Sequence, residues 1–275
     1  MAFRLAANQY GKAETRLVHV DRADKRHVVT DLNVSVALTG DLIDTHLTGD
    51  NSHVLPTDTQ KNTVYAFARD GIGEVEAFGM RLARHFVDSH EPIHSAHVSF
   101  EEHAWERIGD HSFTRAAGGE VRTVDVVCDG EGVEVSAGLK DLLLLNSTDS
   151  EFTGYIVDEY TTLPPATDRV LATEVSASWT YSTSETDFAA AYARARRSLV
   201  DAFADTYSLS LQQTLYSMGA RVLQDVPQAS RVSLSLPNKH HFLCDLEPFG
   251  MDNPGLVFHA ADRPYGLIEG TVTRS

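Results

Sequence analysis

Only two of the 275 residues are cysteine, Cys128 and Cys244, and they stand far apart in strand-like segments. That spacing argues against a disulfide-stapled secreted scaffold and fits two buried free thiols in a reducing cytosol. Basic residues are scarce as well: 23 Lys and Arg against 39 Asp and Glu leave a net charge of −16. The summed field repels polyanions, which removes nucleic acid and an anionic membrane surface as partners. No apolar run approaches the ~18 residues of a membrane-spanning helix. No glycine-rich turn joins a strand to a helix, so dinucleotide and P-loop chemistry have no motif; Gly118-Gly119 lies between two strands. GxSxG, HExxH and CxxC are all missing. The first residues, MAFRLAANQYGKAETR, lack the apolar core of a signal peptide, and the last, TVTRS, differ from the serine-lysine-leucine peroxisomal address. A cytoplasmic location is the expectation.

What remains is a chain with the composition of a globular protein, 42% hydrophobic and 23% charged. Strand patterns run over Thr15 to Val20 and Val28 to Thr39, with the charged turn DRADKR between them, so the pair reads as a hairpin. Gly40 to Asn51 reads as a polar connection. A helix is expected after Thr57 and another from Glu74 to Val87. Strands follow from Pro92 through Trp105, over Val121–Cys128, and after the turn Asp129-Gly130. The second half runs strand-like from Leu142 to Ile156 and from Leu171 to Tyr181. Helices follow over Asp187–Thr206 and Ser210–Gln224, and strands over Arg231–Leu246 and Tyr265–Arg274. Strands grouped around helices without regular βα alternation predict an α+β fold with antiparallel sheets. The two halves repeat this plan without residue identity. No linker divides them, so they are expected to pack as one unit.

The stretch VLPTDTQKNTVYAFARD, Val54 to Asp70, organises the first half. Thr57 and Gln60 have capping-box spacing, Val64, Tyr65, Phe67 and Ala68 form an apolar face, and Gly71 suits a helix end. Such a start at Thr57-Asp58 offers donors and a positive dipole end to an anion; an ordinary core helix accounts for it as well.

Other candidates are weaker. His94, His97 and His103 cluster with Glu101 and Glu102, but on a strand His94 and His97 should point to opposite faces, which disfavours a metal site. In SLPNKHHFLCDL, Asn238 and His240 share parity beside Phe242 and suit a pocket wall; a solvated edge strand broken by Pro237 suits the pattern equally. Arg169 suits bidentate recognition of a planar anion, or else a surface ion pair with Asp168 or Glu174.

Several longer stretches, taken together, resemble the urate oxidase (uricase) family. They are YGKAETR (10–16), TDTQKNTVYAFARD (57–70), SEFTGY (150–155) with YTTL (160–163), SLPNKHHF (235–242) and DRPYGLIE (262–269). The likeness covers nearly the whole chain, is weak between His90 and Gly118 and between Cys128 and Lys140, and leans to the bacterial branch. It implies two tandem tunnelling-fold (T-fold) modules, over 1–138 and 139–275. Each would be an antiparallel sheet with a helical layer, with barrels closed by subunit pairing and stacked into a homotetramer. It implies oxidation of urate by O2 and water to 5-hydroxyisourate and H2O2, with no metal and no organic cofactor.

The same resemblance implies roles for particular residues. Arg169 and Gln212 form a planar clamp on urate, with Leu211 beside it where valine is common, and Phe152 stacks on the purine. Thr57 and Asp58 come from the neighbouring subunit. Lys12 with Thr57 forms the proton-relay base, His240 orients Lys12, and Asn238 holds O2 or water above the ring. The helix start lacks a base in its own motif, so Lys12 is expected from one subunit and Thr57 from its partner. A tunnelling-fold enzyme acting on pterins, or an inactive urate-binding oligomer, are the rival readings. Against them stand the Arg–Gln pair and the presence of Lys12, Thr57 and His240.

Overall fold

The computed structural model describes residues 3–274, and the chain divides into two compact units. One unit comprises Met1–Gly138 with Thr180–Ala190, the other Leu139–Trp179 with Ala191–Ser275. The elements, in chain order, are β1 (Tyr10–Asp21), β2 (Val28–Gly40), α1 (Ile43–Leu47), α2 (Thr57–Arg69), α3 (Val75–Asp88), β3 (Ile93–Glu102), β4 (Trp105–Arg107), β5 (Phe113–Arg115), β6 (Val121–Cys128), β7 (Val133–Asn146), β8 (Leu171–Tyr181), α4 (Phe188–Asp205), α5 (Leu211–Asp225), β9 (Ala229–Pro237), β10 (His241–Leu243), a 3-10 turn (Glu247–Phe249), β11 (Phe258–Ala260) and β12 (Leu267–Thr273).

In the first unit the strand order is β1-β2-β3-β6, antiparallel throughout. The expected hairpin pairs Asp21 with Val28 and Tyr10 with Leu38. Alternation decides the faces: Leu32, Val34, Val36 and Leu38 are buried, joined by Ala96, Val98, Phe100, Val124 and Val126 from β3 and β6. Against them lies the apolar stripe of α3, Val75, Phe78, Leu82 and Phe86. Gly79 lets α3 approach; a Cβ there would stand 2.7 Å from Val126 Cγ2 and 2.8 Å from Phe100 Cε2. The second unit repeats the device. Its strands run β7-β8-β9-β12, α5 packs on β9 and β12, and a Cβ at Gly219 would meet Val272 Cγ2 at 2.7 Å.

Several expectations need correction. The strand expected from Pro92 through Trp105 ends at Glu102, and Trp105 belongs to β4, which pairs with β5 in a separate ladder. The strand read as Leu142–Ile156 is the end of β7, which begins at Val133, and Ser147–Val170 has no regular strand because Gly154, Pro164 and Pro165 interrupt pairing. Arg231–Leu246 is two strands, since β9 stops at Pro237 and β10 turns away to pair with β11. The connection Gly40–Asn51 holds the short helix α1. His94 and His97 are both exposed, because a register shift sets an extra β3 residue opposite the Thr39–Gly40 step. They are held by different carboxylates, His94 by Asp41 at 3.3 Å and His97 by Asp125 at 2.7 Å. Cys128 and Cys244 are both free thiols, but only Cys128 is buried in a strand as expected; Cys244 is partly exposed, just beyond the end of β10.

Candidate active site

Two groups of the expected residues stand out, one in each compact unit. In the first unit α2 begins at Thr57 itself, preceded by Pro56, whose fixed φ of −53 suits a helix entry. No side chain caps this end, so the capping box expected of Thr57 and Gln60 does not form. Gln60 is instead fully buried and donates from Nε2 to the Leu55 carbonyl at 3.2 Å. The first-turn N–H groups, with the positive end of the helix dipole, are therefore left open at Thr57 and Asp58. The Asp58 carboxylate accepts from Lys61 and, at 3.0 Å, from Asn62. Its pKa is held below the usual range, first by the Lys61 hydrogen bond and charge, with Lys12 adding to the same pull.

Lys12 lies on β1 opposite Val36, on the face that meets the helices. Its charge is felt at Asp58 within a single chain. The expectation that Lys12 and Thr57 come from different subunits is thus corrected: Lys12 stands near the helix start of its own chain. The sequence motif concealed this, because forty-odd residues separate them and only the packing of α2 on β1 brings them together.

In the second unit Phe152, Arg169, Asn238 and His240 line one cavity of about 680 Å³. Their neighbours on its wall include Pro164, Pro165, His241, Phe242 and Leu243. The walls are mostly apolar, with few polar groups converging, as small-molecule sites are. Phe152 is placed by a two-way backbone pair with Ala166, at 2.8 and 3.1 Å, and its ring stacks on Tyr155 with centroids 5.0 Å apart. The Asn238–His240 corner is fixed by Asn238 N–H to Gly266, Lys239 N–H to Ala172 and Ala261 N–H to the His240 carbonyl, all within 2.8–2.9 Å.

Arg169 settles the choice left open by its sequence context. Glu174 is taken by Lys239 at 2.8 Å, and Asp168 accepts from Thr148 at 3.0 Å. Among the described residues no carboxylate pairs with Arg169, and its Nε is buried without a partner. Burial pushes its pKa down, and His240 is pushed down too, by burial first and then by the Arg169 charge. A half-buried, unpaired guanidinium beside a neutral imidazole suits a receptor for an anion.

Leu211 and Gln212 are not on the cavity wall. Leu211 is the first residue of α5 with its side chain 2% exposed, and Gln212 is exposed at the next position. A cap of the kind expected at Thr57 occurs here: Ser210 accepts from Gln213 N–H, and Gln213 Oε1 accepts from Leu209 N–H. This helix start is tied to the segment carrying Phe152, since Glu151 N–H donates to the Ser208 carbonyl at 2.8 Å and Ser208 N–H to Asp149.

The sequence model of the Uricase family matches residues 8–127 and 135–269. The chain belongs to the uricase family. It is 52% identical to the uricase of Arthrobacter globiformis over 98% of this chain and 90% of that protein. With the uricase of Dictyostelium discoideum it shares 40% identity, over 98% of both. The crystal structure of the Arthrobacter globiformis uricase superposes with a TM-score of 0.98 at 51% identity, covering 100% of this chain and 96% of that one. That of a Bacillus fastidious uricase gives 0.84 at 25% identity, over 97% and 94%. The mixed α+β architecture with antiparallel sheets and a helical layer is thus that of uricases. Sequence reasoning did not foresee the two side chains that hold Leu55 ahead of α2, Tyr10 and Gln60; their signal was the YGK motif and a glutamine assigned to a cap.

Proposed function

We infer that the chain is a urate oxidase, taking urate and O2 as its substrates. The observation that carries the reading is Arg169: an anion-ready guanidinium with no carboxylate partner among the described residues, set in a cavity with Phe152, Asn238 and His240. Urate loss at its ultraviolet band, matched by H2O2 formation, tests it. No urate consumption by the purified chain would reject it.

The reaction is balanced by water and O2. Urate gives up two electrons to O2, which leaves as H2O2 with two protons, and water adds to the oxidised ring to give 5-hydroxyisourate. We assign the base to Lys12 acting with Thr57, which takes the ring N–H proton and makes urate electron-rich enough to reduce O2. Arg169 grips the pyrimidine side, Phe152 stacks on the ring, and the Asp58 N–H at the open helix start meets the five-membered side. Gln212, beside the Leu211 backbone, opposes Arg169 as the second jaw; its support is the tether from Ser208 to the Phe152 segment. A neutral His240 can accept a hydrogen bond from the Lys12 amine and so orient it, and Asn238 holds O2 or water over the ring.

The two groups are proposed to meet between copies: Lys12, Thr57 and Asp58 of one subunit complete the Arg169 cavity of another. We propose with this that subunit pairing closes barrels, that the assembly is a homotetramer and that each chain is built of tandem T-fold modules; membership of the uricase family supports the reading. Exposed apolar residues support such contacts, among them Ile156 at 93%, Tyr160 at 81% and Leu256 at 77%. The two free thiols agree with a cytoplasmic setting.

A further inference from the structure

One backbone residue ties the helix start bearing Thr57 to the strand bearing Lys12. Leu55 donates its N–H to the Tyr10 Oη at 2.9 Å and accepts at its carbonyl from Gln60 Nε2. Tyr10 and Lys12 are two residues apart on β1, opposite Leu38 and Val36, so both face the helical layer. Gln60 is 0% exposed and its Oε1 has no partner among the described residues, a cost that its other end must offset. Between Leu55 and Thr57 stands only Pro56, whose ring removes one backbone freedom. With Leu55 held on both sides, the position of Thr57 relative to β1 is nearly determined.

We propose that Tyr10 and Gln60 are positioning residues for urate oxidation, gripping Leu55 so that Thr57 stays registered against Lys12. The proposal rests on the reading of Lys12 and Thr57 as the proton relay. Neither side chain is assigned a contact with the substrate; each bonds to Leu55. Both act on geometry, and a displacement of about 1 Å at a reacting group can cost about a hundredfold in rate. Burial, which raises the Tyr10 pKa, keeps its phenol protonated, and one oxygen lone pair takes the Leu55 N–H.

Tyr10→Phe deletes one oxygen, and Gln60→Met loosens Leu55 from the other side. In the full-length protein each should lower kcat by about tenfold, a part of that limit, while the affinity for a non-reacting urate analogue stays within about twofold. Thermal melts confirm folding, and either variant carries the test if the other fails to fold; loss of folding in both would make these residues structural and overturn the proposal. In a Lys12→Met background, Tyr10→Phe should cost nothing more, because the relay it positions is gone. Wild-type kcat in both single variants overturns the proposal, and so does an equal loss in both backgrounds. Near-wild-type kcat in Lys12→Met alone rejects the relay reading itself, and the proposal with it.

Discussion

The Arg169 guanidinium lies over the Phe152 ring, 5.5 Å from its centroid, with its Nε buried and, among the described residues, without an acceptor. A cation over an aromatic face is worth about 0.5–2 kcal/mol, less than the charge-assisted bonds an anion would bring. The ring therefore steadies the guanidinium and still leaves it a gain on binding. That balance supports reading the cavity as a receptor for a planar anion.

Arg169→Ala should weaken binding of a urate analogue by about 10- to 150-fold, the loss of charge-assisted bonds of ~1.5–3 kcal/mol. Arg169→Lys should recover little of it, because one ammonium cannot make the bidentate grip. Gln212→Ala should weaken binding in the same direction and by less, a neutral donor being removed. Titration calorimetry reads all three, and unchanged affinity in Gln212→Ala would remove that residue from the clamp.

His240 sets a pH dependence. Its folded pKa is depressed, so the unfolded chain binds that proton more tightly, and the stability it contributes is present above the ordinary value of 6.5. That stability is lost as pH falls from 6.5 through the lowered folded value. His85 and His103, also depressed by burial first, act with the same sign. Thermal melts should fall across this acid window, and His240→Asn should flatten part of the slope. A steeper acid slope in His240→Asn would contradict the assignment.

Gly79→Ala should destabilise the fold by about 1–3 kcal/mol, since the new methyl must displace Val126 or Phe100 between α3 and the sheet. The gain in helix propensity, up to ~1 kcal/mol, offsets only part. Chemical denaturation measures the difference, and a variant as stable as the parent would show that the strands yield cheaply.

Activity should survive exhaustive chelation. Among the described residues no three His, Cys, Asp or Glu side chains converge, and the exposed histidines of β3 are each paired with a different carboxylate. Restoration of lost turnover by a stoichiometric metal would sink the cofactor-free reading.

Periodicity made the helices legible, because α3, α4 and α5 each carry a clear apolar stripe. The hairpin β1–β2 was equally plain from alternation. The site was legible only as separate motifs. Asn238 and His240 showed shared parity, yet the corner that aims them is made by Pro237 and by backbone bonds to Gly266 and Ala172, which no local pattern reveals. Whether Arg169 was paired depended on Lys239 capturing Glu174 across a strand boundary. The cap at Thr57 failed for a similar reason: a buried Gln60 found the Leu55 carbonyl better placed than its own helix end.

If the site is shared between subunits as proposed, lesions in the same half of it should not rescue each other, because Lys12 lies near Asp58 within one chain. Lys12→Met and Thr57→Ala both damage the relay half, so hybrids formed from them after reversible dissociation gain no site with an intact relay. Lys12→Met mixed with Arg169→Ala is different. Where the Arg169→Ala subunit lends its relay to the cavity of the Lys12→Met subunit, both halves are wild type. In a randomly mixed population about a quarter of sites would be intact by that count, and turnover should rise toward about a quarter of the wild-type rate. Urate loss measured before and after mixing decides the matter. Recovery in the first pair would return Lys12 and Thr57 to different subunits, and no recovery in the second, with mixing confirmed, would end the shared-site arrangement.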